Sequence, residues 1–285
     1  MQNLLALYKE WSGTSPLKVE TLAKAGSNRQ YVRMTHTDGH TVIGVIGPSV
    51  PENHCFVYLA RHFAQKGLPV PHILAVSRDE QYYIQEDLGS TSLYQALAPS
   101  RANGYQYDAD AYELLQHTIR QLAHIQVEGA QELDFNQCLT PRQFDKTAAM
   151  FDLNYFKYCF LKTSLLEFNE SRLQDDFEAL CSALLACGGD CFLYRDFQAR
   201  NVMLCDGVPY FIDFQGGRRG PAHYDLASFI WQARSAYPEE LKEKMLCAYL
   251  DSARRHLPEL DEEAFRRELD LFAIFRTLQV LGAYG

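Results

Sequence analysis

The sequence has no C-x-x-C pair, although it holds 8 cysteines. Cys187 and Cys191 are separated by Gly188, Gly189 and Asp190, and no nearby His completes a zinc set. The scattered cysteines read as reduced, mostly buried thiols of a cytoplasmic protein. A basic excess is also missing: 27 Lys and Arg stand against 36 Asp and Glu, a formal net charge of −9. That balance argues against a nucleic-acid partner, which needs a basic surface. No apolar run is long enough to span a bilayer, so no membrane partner is expected. The opening stretch MQNLLALYKEW has no basic start and meets Lys9 and Glu10 too early for a signal peptide. There is no internal repeat and no low-complexity segment.

What is present is ordinary for a globular chain of 285 residues, 47% hydrophobic and 22% charged. That length suits two lobes or one large domain. Leu4 to Trp11 predicts a short helix. Lys18 to Ala25, Arg29 to Thr35 and Thr41 to Ile46 predict three strands, the last two joined at Asp38-Gly39. Pro51 to Gly67 predicts a helix opened by Pro and closed by Gly, with Glu52 in its first turn, where the helix dipole favours an acid in any protein. Strands His72 to Val76 and Gln81 to Gln85 follow. Downstream the pattern turns helical: Asp108 to Val127, Ser171 to Cys187, Pro238 to Arg255 and Glu262 to Leu281. The last reads as apolar nearly all round, hence buried. It reaches Gly285 without a polar finish, which leaves open whether the natural chain continues.

The informative stretch is FLYRDFQARNVMLCDGVPYFIDFQG, Phe192 to Gly216. It sets Asp196 in a polar loop, Asn201 five positions on, and Asp213 at the end of a hairpin turning at Asp206-Gly207. This is the layout of a kinase catalytic loop followed by its metal strand. Asp196 would accept the proton of an attacking hydroxyl. Asn201 and Asp213 would hold Mg²⁺ on nucleotide phosphates, since Mg²⁺ demands hard oxygen ligands. The plainer reading is of turn-forming residues beside a surface hairpin.

The runs YRDFQARN and FIDFQGGRRGPAHYDLAS resemble the aminoglycoside phosphotransferase and choline-kinase-like superfamily. Within it they are most similar to bacterial anomeric N-acetylmuramate/N-acetylglucosamine kinases. The likeness extends from about Leu22 to the end and is strong from Phe192 to Ser228. It implies a protein-kinase-like α+β fold, with a small antiparallel-sheet N-lobe (1–87) and a larger helical C-lobe (88–285). It also implies ATP and Mg²⁺ as cofactors and a small-molecule substrate, an amino sugar first. Two departures stand out: Tyr194 replaces the usual His before the loop, and Thr41 to Ile46 carries no phosphate-pairing Lys.

In such a fold Ser27 and Asn28 would form a small-residue bend over the phosphates, and Glu86 to Leu88 the hinge beside adenine. Arg29 or Arg33 would stand in for the missing Lys, or both are solvent-facing strand arginines. Arg195 and Arg200 flank the loop, and either touches phosphate or substrate or braces the loop through ion pairs. Asp225 is a natural N-cap of the helix opening at Tyr224; by resemblance it also holds the loop. The aromatic stretch Phe144 to Phe168 reads mainly as core, with Asp152 and Tyr155 as candidate sugar contacts. Two alternatives stay open. One is an aminoglycoside or choline-like phosphotransferase; for a polycationic aminoglycoside the pocket should be ringed by carboxylates. The other is a catalytically inactive kinase fold that binds nucleotide or a partner. The oligomeric state is not legible.

Overall fold

The computed structural model describes residues 1–23 and 28–284. Helix α1 (Gln2–Ser12) precedes strands β1 (Lys18–Thr21), β2 (Gln30–Thr35) and β3 (Thr41–Ile46). Helix α2 (Val50–Gln65) follows, then β4 (Ile73–Val76) and β5 (Tyr82–Glu86). The five strands form one antiparallel sheet in the order β1-β2-β3-β5-β4. Alternation decides its faces. Val32, Met34, Val42 and Ile84 meet Leu4, Leu7 and Tyr8 of α1 in a small core. Ile43, Val45 and Tyr83 point the other way and join the main core with Phe56, Leu59 and Phe63 of α2.

From Leu93 onward the chain is mostly helical: α3 (Leu93–Ala96), α4 (Ala98–Ala102), α5 (Ala109–Val127), α6 (Lys146–Phe156) with a π-helical turn at Lys157–Leu161, and α7 (Glu170–Ala186). Three-residue strand β6 (Cys191–Leu193) then pairs with β9 (Arg218–Gly220), and β7 (Val202–Cys205) pairs with β8 (Val208–Phe211). Helices α8 (His223–Ile230), α9 (Glu239–Ala253) and α10 (Glu262–Tyr284) complete the fold. The molecule is therefore two-lobed α+β, as expected, with an antiparallel-sheet N-terminal lobe and a helical C-terminal part.

Three expectations need correction. Helix α10 is not apolar all round: Phe265, Leu269, Phe272 and Phe275 are buried, while Ile274 is 55% exposed. Arg266 and Arg267 pair with Glu262 and Glu263 on its outer side, so the helix is amphipathic. The aromatic stretch is divided: Phe144 and Phe156 are buried, but Phe151, Tyr155 and Tyr158 are exposed. The cysteines are free but only Cys55, Cys138 and Cys181 are buried, and Cys247 is exposed.

Candidate active site

The hairpin positions the site. Asp206 and Gly207 take positive φ, 50° and 79°, which suits the tight turn between β7 and β8. Strand β8 ends at Phe211, so Asp213 lies just beyond it with φ 68°. Arg195, one residue before Asp196, has φ 81°. Two non-glycine residues in this strained region bracket the proposed chemistry. They are held by packing: Phe192, Tyr194, Phe197, Phe211 and Phe214 are all essentially inaccessible, and the rings of Tyr194 meet Phe197 and Phe214 edge to face. Each such pair adds about 0.5–1.5 kcal/mol beyond its buried area. The Tyr194 hydroxyl donates to the Ile212 carbonyl. The residue that replaces the usual His thus ties the Asp196 loop to the Asp213 segment.

Asp225 anchors the loop from behind. It is fully buried and accepts from the backbone N–H groups of Tyr194 (2.7 Å) and Arg195 (2.9 Å) and from the Gln126 amide (2.9 Å). Tyr249 of α9 donates to the Gln126 carbonyl at 2.6 Å. Burial pushes the Asp225 carboxyl up to about 6, against the pull of those hydrogen bonds. Asp225 does not cap α8. It lies in the first turn, and the N-cap position is Ala222, without a side-chain cap. The carboxylate is spent on another element's backbone.

At the centre, the Asn201 amide donates to the Asp196 carbonyl (2.9 Å) and to Asp196 Oδ2 (3.1 Å). That leaves the Asn201 oxygen for a cation. Gln198 donates to Asp196 Oδ1 and Gln215 to Asp213 Oδ1, each at 2.7 Å. Loss of solvation, then the Asp213 carboxylate, raises the Asp196 pKa, opposed by Asn201, Arg276 and Arg200. The Asp213 carboxylate and the Asn201 amide oxygen are hard ligands of the kind a divalent cation takes.

On the sheet side, Arg29 is 3% exposed. Its guanidinium lies 3.6 Å from Glu52 of α2 and over the Phe56 ring. Phe56 in turn stacks on Phe214, beside Asp213, at 4.8 Å and 11°. On that face of the sheet the β3 residues Ile43 and Val45 carry no charge, and Arg29, just before β2, brings one in. Arg33 goes elsewhere: it grips Asp87 through both carboxylate oxygens (2.5 and 2.9 Å) and the Gly89 carbonyl (2.9 Å). In the segment expected to form the hinge, Glu86 ends β5 and accepts from the His72 N–H, while Leu88 is buried. Asn28 is exposed, and Ser27 lies outside the described residues.

A cleft opens beside Asp196. Gln198, Arg200, Trp231, Arg234, Arg276 and Tyr284 are among its lining residues. Arg276 is braced, donating to the Tyr224 hydroxyl (2.7 Å) and Ser228 Oγ (2.8 Å). Of the three residues read as substrate contacts, Arg200 lines this cleft. Asp152 is 3% exposed and bound to Arg195 through both oxygens, at 3.0 and 3.2 Å. Tyr155 packs beside Gly282 of α10, outside the lining. Trp231, Arg234, Arg276, Gln126 and Gln215 escaped the sequence reading. Only Gln215 had a signal, as the last letter of IDFQ.

The phosphotransferase enzyme family, APH, matches residues 18–269. The chain belongs to that family. It is thus a phosphotransferase acting on a hydroxyl, and the family implies a nucleotide substrate and typically a divalent metal. Among curated relatives, the N-acetylmuramate/N-acetylglucosamine kinase of Neisseria meningitidis serogroup B is 28% identical over 93% of this chain and 77% of its own length. The kinase of the same name from Pseudomonas aeruginosa is 25% identical over 96% and 78%. These relatives support a sugar kinase. Among solved structures, an amicoumacin kinase has a TM-score of 0.67 at 14% identity, over 99% of this chain and 85% of its own. A choline kinase from Cryptosporidium parvum Iowa II has a TM-score of 0.63 at 12% identity, over 92% and 81%. At such identities the likeness speaks for the fold alone. No helix among the described residues is long and apolar enough to cross a membrane.

Proposed function

We propose that this phosphotransferase uses ATP and Mg²⁺ to phosphorylate the anomeric hydroxyl of N-acetylmuramate or N-acetylglucosamine, giving a sugar 1-phosphate and ADP. The observation that carries this reading is the make-up of the acceptor cleft. Trp231, 37% exposed, offers a flat apolar face of the kind sugar rings stack on. Arg200, Arg234 and Arg276 share the lining, and Asp196 is the sole carboxylate among the described lining residues. A polycationic aminoglycoside would need acids there instead. An arginine-rich wall suits the lactyl carboxylate of N-acetylmuramate.

In this reading Asp196 orients the hydroxyl and takes its proton as the sugar oxygen bonds to the terminal phosphorus and ADP leaves. Its raised pKa makes it a better proton acceptor than an ordinary Asp. Asp213 and the Asn201 oxygen hold Mg²⁺, which neutralises charge on the phosphates when bound. Arg29, set by Glu52 and Phe56, supplies the cation that β3 lacks. Arg33 fixes the hinge, and Arg195 and Asp225 support the loop. The hinge at 86–88 divides lobes 1–87 and 88–285. The anomeric hydroxyl is the most acidic on the sugar, which eases demand on the site. We place the reaction in the cytoplasm, where nucleotide and free thiols coexist.

The test is phosphorus NMR of the products formed from Mg·ATP and a panel of sugars, amino alcohols and aminoglycosides. A phosphate coupled to the anomeric proton is expected. Coupling to C6 protons, or ADP release with amine acceptors only, would overturn the substrate assignment and leave the kinase chemistry standing.

A further inference from the structure

Three side chains with nitrogen and oxygen donors meet where the end of α5 abuts the end of α9, away from the catalytic loop. His124 lies in the last turn of α5 and Glu128 at its C-cap, four positions on and on the same face. His256 follows the end of α9. His124 Nδ1 is 2.7 Å from Glu128 Oε1, and His256 Nε2 reaches the same oxygen at 2.9 Å. All three donor atoms fall within 4.8 Å of one another. The two rings meet edge to face, with centroids 4.9 Å apart.

A second observation concerns the His256 nitrogen. Nε2 is buried and, among the described residues, makes no hydrogen bond, although the carboxylate oxygen is within 2.9 Å. That oxygen lies off the line a ring N–H requires. An unprotonated Nε2 has a lone pair to offer instead, and a cation between ring and carboxylate would use it. We propose that His124 Nδ1, Glu128 and His256 Nε2 form a binding site for one zinc-class transition-metal ion, with a fourth position open to solvent.

The donor set selects the ion. Two imidazoles and one carboxylate suit Zn²⁺, Co²⁺ or Ni²⁺, whereas Mg²⁺ and Ca²⁺ prefer oxygen throughout. Tetrahedral zinc with bonds of about 2.0–2.2 Å holds neighbouring donors roughly 3.3 Å apart. The present 2.7 and 2.9 Å separations would widen by about half an ångström on binding. Side chains that are 19–26% exposed have room for that shift. The site would tie α5, whose Gln126 donates to Asp225, to the end of α9, whose Tyr249 holds that Gln126. Its role is therefore to stiffen the scaffold behind the catalytic loop, not to take part in phosphoryl transfer.

The experiment uses the full chain, stripped with a chelator and titrated with ZnCl₂ alone by calorimetry and thermal unfolding, then loaded with Co²⁺ for its visible spectrum. The expected result is one tight equivalent of zinc and a higher melting temperature. His124→Gln combined with His256→Gln should lower the affinity by more than about 100-fold, since even outer partners of a metal site are worth about 10–100-fold. The hairpin cluster His36, Asp38 and His40, the free thiols and the oxygen ligands Asn201 and Asp213 are the competitors, and Mg²⁺ in excess occupies the last. His36→Gln with His40→Gln should keep the affinity. The Co²⁺ form should show tetrahedral bands without thiolate charge transfer, a readout that needs no variant of the site itself. No binding, thiolate charge transfer, unchanged affinity without His124 and His256, or loss of the Co²⁺ bands without His36 and His40 would each overturn the proposal.

Discussion

Replacing Asp225 by Asn tests how the catalytic loop is held. The carboxylate is inaccessible and receives three N–H donors, from Tyr194, Arg195 and Gln126. Asn keeps the volume but brings one acceptor oxygen and an NH₂. However the amide is turned, its NH₂ faces at least one donor. Losing a hydrogen bond to a charged acceptor costs about 1.5–3 kcal/mol, and a donor left buried and unpaired about 1–3 kcal/mol. The two costs overlap, so we expect a loss of about 2–4 kcal/mol, read by urea unfolding at neutral pH. The loop then gains freedom where it is most strained, at Arg195 with φ 81°. A shift of about 1 Å in Asp196 is enough to lower turnover about 100-fold. Nucleotide binding should change little, because Asn201 and Asp213 follow on the hairpin side. The assay is ADP release with saturating acceptor, beside direct titration of Mg·ATP. A variant that unfolds and turns over like the wild type would refute the reasoning, since a buried acceptor of three donors would then be dispensable.

Asp196→Asn should lower turnover by about two to four orders of magnitude while nucleotide binding persists, measured by the same two assays. Asp213→Ala should abolish Mg·ATP binding in titration, and Asn201→Ala should weaken it less, because the amide oxygen is a neutral ligand. Arg29→Ala should raise the nucleotide KM more than Arg33→Ala, since Arg33 is committed to Asp87 and Gly89; equal effects would remove Arg29 from the phosphate role. Turnover should fall on acidification with a midpoint above the ordinary Asp value of 3.8, because Asp196 must be ionised to accept a proton and its pKa is raised; a pH–rate profile flat down to that value would contradict this.

The candidate set was legible because it is local. Asp196, Asn201 and Asp213 sit within one loop and hairpin, and Asp206-Gly207 announces the turn between them. The partners of that set were not legible. Glu52 meets Arg29 only after the chain has crossed the sheet and begun α2. Gln126 reaches Asp225 across 99 positions. Nothing in either residue's neighbourhood foretells the other. Asp225 misled for a physical reason: an Asp in the first turn of a helix suits the dipole whether or not its oxygens cap that helix. Strands β6 and β9 are too short to show a period. Trp231 and Arg276 enter the cleft from two different helical regions, with no motif of their own. The exposed Phe151, Tyr155 and Tyr158 show the limit of periodicity, which identifies an apolar stripe but not what covers it.

Helix α2 follows the sheet's first three strands in sequence and packs on that sheet, yet it is also tied to the other lobe. Tyr58 accepts from the Asp134 N–H, His62 meets the Gly129 carbonyl, Phe63 packs on Phe192, and the Cys55 thiol donates to the Gln215 carbonyl. In protein kinases, movement of the corresponding helix is a control point. Here a swing of α2 would have to break these four ties and unstack Phe56 from Phe214, and Glu52 cannot leave Arg29 without that rupture. The helix is built as part of the catalytic floor. A chain made this way should keep α2 in one position whether or not nucleotide and acceptor are bound.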